Sequence, residues 1–219
     1  MSEPDFLRRT RTSYDTLADY YAVWIQGELA TKPLDRALLA GFAELVLAAG
    51  GGPVADIGCG EGRVAAHLHS LGLSAFGIDL SPKMLANARR TYPDLRFDEG
   101  SMTALDVEDG TLGGIVAWYS IIHVPSEHVP AVLTEFRRVL APGGYLQLAF
   151  QAGDELAHRT ELAGLPVELD FQRLWPSHVA ELLRATGFVV CAETLRAAET
   201  DSDFPENTPQ GFVLARKPG

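Results

Sequence analysis

The chain has 219 residues, of which 47% are hydrophobic and 21% are charged, and its net charge of −11 comes from 18 basic and 29 acidic side chains. This length and composition fit one globular domain with a sizeable core. The acidic balance argues against a nucleic-acid partner, which needs a basic face, and favours a small-molecule partner. No apolar run approaches the roughly 20 residues of a membrane span, and the polar start at 1–5 is unlike a signal peptide. We therefore expect a cytoplasmic protein without a membrane partner.

Apolar periodicity predicts helices that alternate with short strands along most of the chain. The predicted helices are 4–27, 35–49, 63–71, 82–92, 126–140 and 176–186. The predicted strands are 54–57, 74–78, 95–97, 115–119, 145–150, 188–192 and 212–215. Residues 151–175 are polar and show no regular pattern. This alternation predicts a parallel sheet with helices on both faces, and the loop between the last two strands predicts an antiparallel edge hairpin.

A glycine-rich loop joins the first strand to its helix in the stretch VADIGCGEGR at 54–63. Its three alternating glycines are Gly58, Gly60 and Gly62. Glycines let the backbone approach a ligand and adopt positive φ, and a nucleoside cofactor is expected at this end of a first parallel strand. The dinucleotide fingerprint would require glycine where Arg63 stands, and Asp56 would repel a pyrophosphate but suits a ligand with an ammonium group. An NAD-dependent oxidoreductase is therefore the less favoured alternative.

The pattern D-x-G-x-G-x-G, from Asp56 to Gly62, resembles motif I of the class I S-adenosylmethionine (SAM) dependent methyltransferases. The pattern Y-D-x-x-A-x-x-Y at 14–21 looks like the amino-terminal signature of their small-molecule members, in which this segment is a lid over the SAM site. The aromatic stripe of this segment has a second interpretation, as plain packing, and the two can hold together. LAPGG at 140–144 and FVLARK at 212–217 resemble the turn before strand five and the closing strand of the family. The resemblance is specific over about residues 10–150.

This resemblance, together with the periodicity, predicts the fold class and the domain organisation. We expect an α/β Rossmann-like three-layer sandwich with a seven-stranded, mostly parallel sheet, an antiparallel edge strand and an amino-terminal helical lid. One SAM-dependent methyltransferase domain would span 1–219, with the lid at 1–30 and the cofactor-binding core at 35–150. Residues 151–219 would form a substrate-side insertion, the last helix and the edge hairpin. The protein is expected to be a monomer or a homodimer.

The cofactor residues follow from spacing and from the resemblance. Asp79 ends the second strand, close to the distance from the glycine loop at which an acid binds a ribose diol, and Ser81 already caps the next helix. Arg63 begins the helix after the loop, where its cation would pair with the SAM carboxylate; the alternative is a surface arginine on the first turn. By resemblance, Ser101 and Met102 would contact adenine, although the family usually has an acid there. The predicted cofactor-binding residues are Tyr14, Tyr21, Asp56, Gly58, Gly60, Gly62, Arg63, Asp79, Leu80, Met84, Ser101, Met102, Trp118 and Tyr119.

The turn after the fourth strand, WYSIIH at 118–123, lies where the family places the transferred methyl group. His123 would be a general base for a hydroxyl or an amine, or else a packed core residue. No acidic pair follows this strand and the two cysteines form no metal pattern, so no metal is predicted. The predicted function is transfer of the SAM methyl group to O, N or C of a small molecule, with S-adenosylhomocysteine (SAH) as the product. The main alternative is a SAM-binding protein of the same fold with non-methylating, cyclase-like chemistry.

Overall fold

The computed structural model of the protein describes residues 3–219, so residues 1 and 2 of the predicted lid and of the polar start lie outside the described residues. The helices are α1 (Asp5–Trp24), α2 (Glu28–Thr31), α3 (Pro33–Ala48), α4 (Arg63–Ser70), α5 (Pro82–Thr91), α6 (Val129–Val139) and α7 (Pro176–Ala185). The strands are β1 (Pro53–Ile57), β2 (Ser74–Asp79), β3 (Phe97–Glu99), β4 (Leu112–Trp118), β5 (Leu140–Gln151), β6 (Leu156–Leu162), β7 (Leu165–Gln172), β8 (Val189–Arg196) and β9 (Gln210–Arg216). Within 3–219, every helix is too short or too polar to cross a membrane.

The main sheet has seven strands in the order β3-β2-β1-β4-β5-β9-β8. Strands β1 to β5 are parallel, whereas β9 is antiparallel to both β5 and β8. The Rossmann-like α/β fold, with a mostly parallel sheet and an antiparallel strand in its edge hairpin, is thus confirmed. The strand order reverses between β1 and β4, and in such sheets a crevice forms at the carboxyl ends of the strands on either side of the reversal.

The central strands are apolar because helices cover both faces of the sheet. Strand β4 is buried along its whole length. Its Ile115 packs on one face with Phe136 of α6, and its Val116 packs on the other face with Phe42 of α3. The strand ends that border the crevice are therefore held by packing from two sides.

Strand β4 begins earlier than the predicted 115–119 because it includes Gly113 and Gly114. A Cβ at Gly113 would overlap the carbonyl group of Gly51, and a Cβ at Gly114 would overlap the ring of Phe42. These glycines therefore allow the loop before β1 and helix α3 to cross the strand closely. The sequence prediction placed both glycines before the strand, and these close contacts with distant segments were not visible in it.

Two further predicted boundaries were wrong around β5. Residues 141–144 were predicted as a turn, but they belong to β5 as an irregular stretch, since Leu112 pairs with Leu140 whereas Gly114 pairs with Tyr145. The predicted helix 126–140 divides into a 3-10 turn at Ser126–His128 followed by α6. Strand β3 also lies two residues later than the predicted 95–97.

Residues 151–175, predicted to be irregular, contain the antiparallel hairpin β6–β7. Strand β6 is exposed along most of its length, so its sequence shows no apolar alternation. Strand β7 packs on α1, where Leu17, Val167 and Leu169 form a small apolar cluster. The buried hydroxyl of Ser13 accepts from the amide of Glu168 at 2.8 Å and lies 3.2 Å from its carbonyl oxygen. The hairpin and α1 therefore form one packed unit.

Candidate functional site

A cavity lies at the carboxyl ends of β1, β2 and β4, with α1 as its outer wall. It encloses about 810 Å³ of empty space when its open mouth is included. Most of the residues predicted for the site border it, namely Tyr14, Tyr21, Gly58, Gly60, Arg63, Asp79, Leu80, Met84, Met102, Trp118, Tyr119 and His123. Asp56, Gly62 and Ser101 do not border it. The structure thus brings the motifs together, and the role of each residue in binding stays a prediction.

The three loop glycines adopt positive φ, at 74° for Gly58, 56° for Gly60 and 87° for Gly62. A Cβ at Gly58 would overlap Ser120, so the loop packs directly on the turn after β4. A Cβ at Gly60 would meet nothing within 4 Å, which leaves that side open to a ligand. Gly62 instead begins α4 and lies against the ring of Phe97, outside the cavity.

Asp79 links the glycine loop to the start of α5. Its Oδ2 accepts from the amide of Gly60 at 2.8 Å and its Oδ1 from the amide of Ser81 at 2.8 Å. Burial raises the pKa of Asp79 to about 6, although these two hydrogen bonds favour the ionised form. Each oxygen keeps a lone pair that a ribose hydroxyl could use. The predicted cap is present, since the Ser81 hydroxyl accepts from the amide of Met84 at 3.1 Å.

Asp56 and Ser101 have local partners behind the cavity wall. Asp56 is 1% exposed, and its Oδ2 accepts from the amide of Ala65 in α4 at 3.0 Å. Burial raises its pKa to about 7. The Ser101 hydroxyl lies 2.7 Å from the hydroxyl of Thr103. Asp56 therefore connects the end of β1 to α4 through this hydrogen bond, outside the cavity.

Glu61 borders the cavity although sequence reasoning did not select it. It is 6% exposed, and its Oε1 accepts from Arg63 Nη1 at 3.2 Å. Glu28 of α2 accepts from Nε of the same guanidinium at 3.3 Å. Burial disfavours the charge of Arg63, but Glu61 and Glu28 outweigh it and hold the Arg63 pKa above its ordinary value. In the described part of the chain, Oε2 of Glu61 has no hydrogen-bond partner.

His123 lies in the 3-10 turn after β4, between α1 and the hairpin. Its Nδ1 is 2.9 Å from the carbonyl oxygen of Asp170, which can only accept, so Nδ1 carries the proton. Its Nε2 then accepts from the hydroxyl of Tyr14 at 2.7 Å. Burial lowers the pKa of His123 to about 4, and burial also raises the Tyr14 pKa well above its ordinary value. The pair is therefore neutral near pH 7.

The aromatic residues of α1 differ in their position relative to the cavity. Tyr14 and Tyr21 border the cavity, whereas Tyr20 is 43% exposed and stacks on Trp24 outside it. Helix α1 is held in place by Asp15, whose Oδ1 accepts from the Ser81 hydroxyl at 2.6 Å.

Other cavity residues were also missed by the sequence reasoning. Helix α1 contributes a face that continues the spacing of the tyrosines, with Phe6, Leu7, Thr10 and Arg11. Their helical spacing is the signal that could have identified them. Ser120 and Val124, which flank the predicted His123 turn, also border the cavity. Glu61 carries no such signal, because the motif D-x-G-x-G-x-G specifies no residue type at its position between two glycines.

Comparison with known proteins finds similarity to methyltransferases over part of the chain. Residues 54–144 match a family model described as a methyltransferase domain. The demethylmenaquinone methyltransferase of Chlorobaculum parvum is 35% identical over 92 residues, which cover 42% of this chain and 37% of that protein. The carboxy-S-adenosyl-L-methionine synthase of Chromohalobacter salexigens is 36% identical over 109 residues, which cover 45% of this chain and 40% of that protein. The chain spans less than half the length of these two relatives.

A solved structure extends the likeness over the whole chain. The 1,6-didemethyltoxoflavin-N1-methyltransferase of Burkholderia thailandensis, crystallised with 1,6-didemethyltoxoflavin and SAH, superposes with a TM-score of 0.75. The superposition covers 100% of this chain and 92% of that one at 19% identity. At this identity the likeness establishes the fold.

Proposed function

We propose that the chain is a class I SAM-dependent methyltransferase that moves the SAM methyl group to an oxygen, nitrogen or carbon atom of a small molecule, as its similarity to methyltransferases supports. The products are SAH and the methylated acceptor. One observation carries the proposal. The glycine loop, Asp79 and the Tyr14–His123 pair, which come from distant parts of the chain, face one cavity.

The residues around the cavity fit SAM. Asp79 has a free lone pair on each oxygen for the ribose diol, and the side chains of Leu80, Met84 and Met102 offer apolar surface for adenine. The open side of Gly60 leaves room for the methionine portion. Bound SAM supplies a methyl group on a sulfonium, which is a good leaving group. The carboxylates of Asp79 and Glu61, which border the cavity, suit the positive charge of the sulfonium.

The chain's own residues position the acceptor, exclude water and remove a proton. In the transfer, the nucleophile forms a bond to the methyl carbon, the sulfur–methyl bond breaks, and its electron pair stays on sulfur. The proton of the nucleophile then needs an acceptor. We propose Nε2 of His123, reached directly or through the Tyr14 oxygen, which would pass its own proton to Nε2. Helix α1 covers this position.

The charges of the cavity wall favour a neutral acceptor. Its two cationic side chains are Arg11 and Arg63, and both are paired with carboxylates, Arg11 with Glu3 and Arg63 with Glu28 and Glu61. His123 is neutral near pH 7. Arg63 is the cation predicted to meet the carboxylate of SAM, and Arg11 is paired with Glu3. Because the wall residues between 3 and 219 leave no further cation, a carboxylate or phosphate acceptor would lose its hydration without gaining a partner. A hydroxyl or amine that loses its proton during transfer fits this wall better.

A second candidate is non-methylating SAM chemistry in the same cavity. The similarity to a carboxy-S-adenosyl-L-methionine synthase, whose name describes a modification of SAM itself, supports this candidate. Product mass separates the two functions, since methyl transfer adds one methyl group to the acceptor and converts SAM to SAH.

The test has two stages. Calorimetric titration with SAH and with NAD comes first, and we expect SAH to bind and NAD not to bind. Incubation with methyl-labelled SAM and a panel of matched neutral and carboxylated metabolites follows, with mass detection. A labelled neutral product supports the proposal. A product derived from SAM without label transfer supports the second candidate, and binding of NAD in place of SAH rejects both.

A further inference from the structure

The part of the cavity between the first turns of α1 and His123, called here the acceptor side, contains a hydroxyl group that the protein leaves unpaired. Thr10 borders the cavity four residues before Tyr14, so both side chains lie on the same face of α1. Thr10 is half-buried, and its hydroxyl has no hydrogen-bond partner among residues 3–219. This oxygen is also not one of the unpaired polar atoms that are closed off from solvent. A molecule in the cavity can therefore supply its partner.

The Thr10 hydroxyl differs from those of most other threonines in helices. A helix threonine ordinarily donates to a carbonyl of the preceding turn. Four do so in this protein at 2.8 or 2.9 Å, namely Thr16, Thr31, Thr91 and Thr134. Of the helix threonines between 3 and 219, Thr10 and Thr12 lack this bond, and Thr12 is exposed to water whereas Thr10 borders the cavity. The proton of the Thr10 hydroxyl is therefore free to be donated to a bound molecule.

The acceptor side is also rich in aromatic rings. The ring of Phe6, one turn before Thr10, borders the cavity and is held by stacking on His128, with the ring centroids 5.2 Å apart. The rings of Tyr14 and His123 meet edge to face, also with centroids 5.2 Å apart. Such rings pack well against a flat ring of a ligand. In a site of this kind a few polar groups orient the ligand, and the hydroxyls of Thr10 and Tyr14 are suited to this.

We propose that the acceptor is a neutral hydroxylated aromatic ring with a second oxygen atom, to which the Thr10 hydroxyl donates, an inference that rests on the proposed function. The ring hydroxyl is the nucleophile. Its oxygen forms the bond to the methyl carbon as the sulfur–methyl bond breaks, and its proton passes to Nε2 of His123, directly or through Tyr14. The second oxygen takes no part in the transfer but fixes the orientation of the ring. Thr10 is therefore a specificity-determining contact.

Matched substrates test this contact. The ortho, meta and para methoxyphenols each have one nucleophilic hydroxyl and an ether oxygen that can only accept a hydrogen bond. The corresponding ethylphenols have a methylene group in place of that oxygen. Turnover of each compound with methyl-labelled SAM would be compared in wild type, Thr10→Val, Thr10→Ser and Thr12→Val. Thr12→Val makes the same change as Thr10→Val, on the same helix but outside the cavity.

In wild type, kcat/KM for at least one methoxyphenol is expected to exceed that for its matched ethylphenol by roughly threefold to tenfold, the effect of one neutral hydrogen bond. Thr10→Val is expected to abolish this preference, while its kcat/KM for the ethylphenol stays within about twofold of wild type, which also verifies that the variant is folded. Thr10→Ser keeps the hydroxyl and should keep most of the preference. Thr12→Val should behave as wild type.

Three results would overturn the inference. One is the absence of any labelled phenol product from a wild-type protein that binds SAH, and another is an equal kcat/KM for every methoxyphenol and its ethylphenol. The third is a preference that survives in Thr10→Val, or that is lost equally in Thr10→Ser or Thr12→Val, since the Thr10 hydroxyl would then not be its source. Failure of the wild-type protein to bind SAH would instead reject the proposed function itself.

Discussion

The two walls of the cavity are built in different ways. The cofactor wall consists of the loop after β1 and the end of β2, and its bond between Gly60 and Asp79 joins residues 19 apart in sequence. The opposite wall joins Tyr14 to His123 across 109 residues, and Ser13 to Glu168 across 155. The first wall is set by local motifs at neighbouring strand ends. The second exists only where three distant segments meet.

The walls also differ in charge. Carboxylates lie on and behind the cofactor wall, and burial raises the pKa of Asp79, which borders the cavity, to about 6 and that of Asp56, behind it, to about 7. The Tyr14–His123 pair on the opposite wall is neutral, because burial lowers the histidine pKa to about 4 and raises that of the tyrosine. We infer that one wall holds a cationic cofactor and the other handles a proton. Substitutions at four positions test this division.

The largest effect is expected from Gly60→Val on the cofactor wall. The new side chain would enter the open ligand space at a φ of 56°, so SAH binding should be lost while the protein stays folded. Gly143→Val is the matched control, because Gly143 has a φ of 82° and open space at its Cβ but does not border the cavity. Calorimetry and thermal unfolding would be measured for both, and wild-type SAH affinity in Gly60→Val would remove the loop from the cofactor site.

The next largest effect concerns the opposite wall. Once an acceptor is known, His123→Ala should lower turnover by roughly a hundredfold if the imidazole is the base, with SAH affinity little changed. Because burial lowers the His123 pKa to about 4, the base stays unprotonated far below the ordinary histidine range. Wild-type turnover should therefore show no His123-dependent loss until the pH approaches 4.

The same lowered pKa makes a prediction about stability. An unfolded histidine takes up its proton near pH 6.5, whereas folded His123 does so near 4. The stability from the neutral, buried ring is therefore present above about pH 6.5 and decreases as the pH falls towards 4. Denaturant unfolding of wild type and His123→Gln should diverge in this window. Parallel curves, or a turnover loss near pH 6.5 that His123→Gln abolishes, would show that the ring titrates normally.

A smaller effect is expected from Asp79→Ala. Loss of an ionised acceptor for the ribose hydroxyls should weaken SAH by roughly tenfold to a hundredfold, without unfolding. Since the Asp79 pKa is about 6, wild-type SAH affinity should also fall as the pH drops below 6, and the variant should not show this step. Asp98→Ala, at a half-exposed carboxylate on β3, is the control. Unchanged SAH affinity in Asp79→Ala would reject the ribose assignment.

The smallest effect is expected at Asp15, which connects α1 to Ser81 at the start of α5. Asp15→Ala removes the bond from α1 to the Ser81 hydroxyl, which should loosen α1 over the cavity and weaken SAH only severalfold. Asp19→Ala, at an exposed position on the same helix, should be neutral. Amide hydrogen exchange along α1 would report the loosening. If Asp15→Ala left both exchange and SAH affinity unchanged, Asp15 would have no part in holding α1 in place.

Much of the cofactor wall could be predicted because its causes are local. The order of strands and helices, the Ser81 cap, and the position of Asp79 at a strand end follow from periodicity and short-range patterns. The errors occurred where partners distant in sequence decide the outcome. Gly113 and Gly114 lie within β4 because other segments cross it closely, and the β6–β7 hairpin forms without an apolar alternation in β6.

The order of strands and helices, the glycine loop and the resemblance to methyltransferases followed from the sequence alone, since these depend on residues within a few positions of one another. Only the tertiary structure decided which of the two carboxylates borders the cavity, because Asp56 is buried against the amide of Ala65 in α4 whereas Glu61 lines the cavity. The tertiary structure also decided the protonation state of His123. Its Nδ1 meets a carbonyl from β7 and its Nε2 meets a hydroxyl from α1, so burial by distant segments sets its tautomer and its pKa.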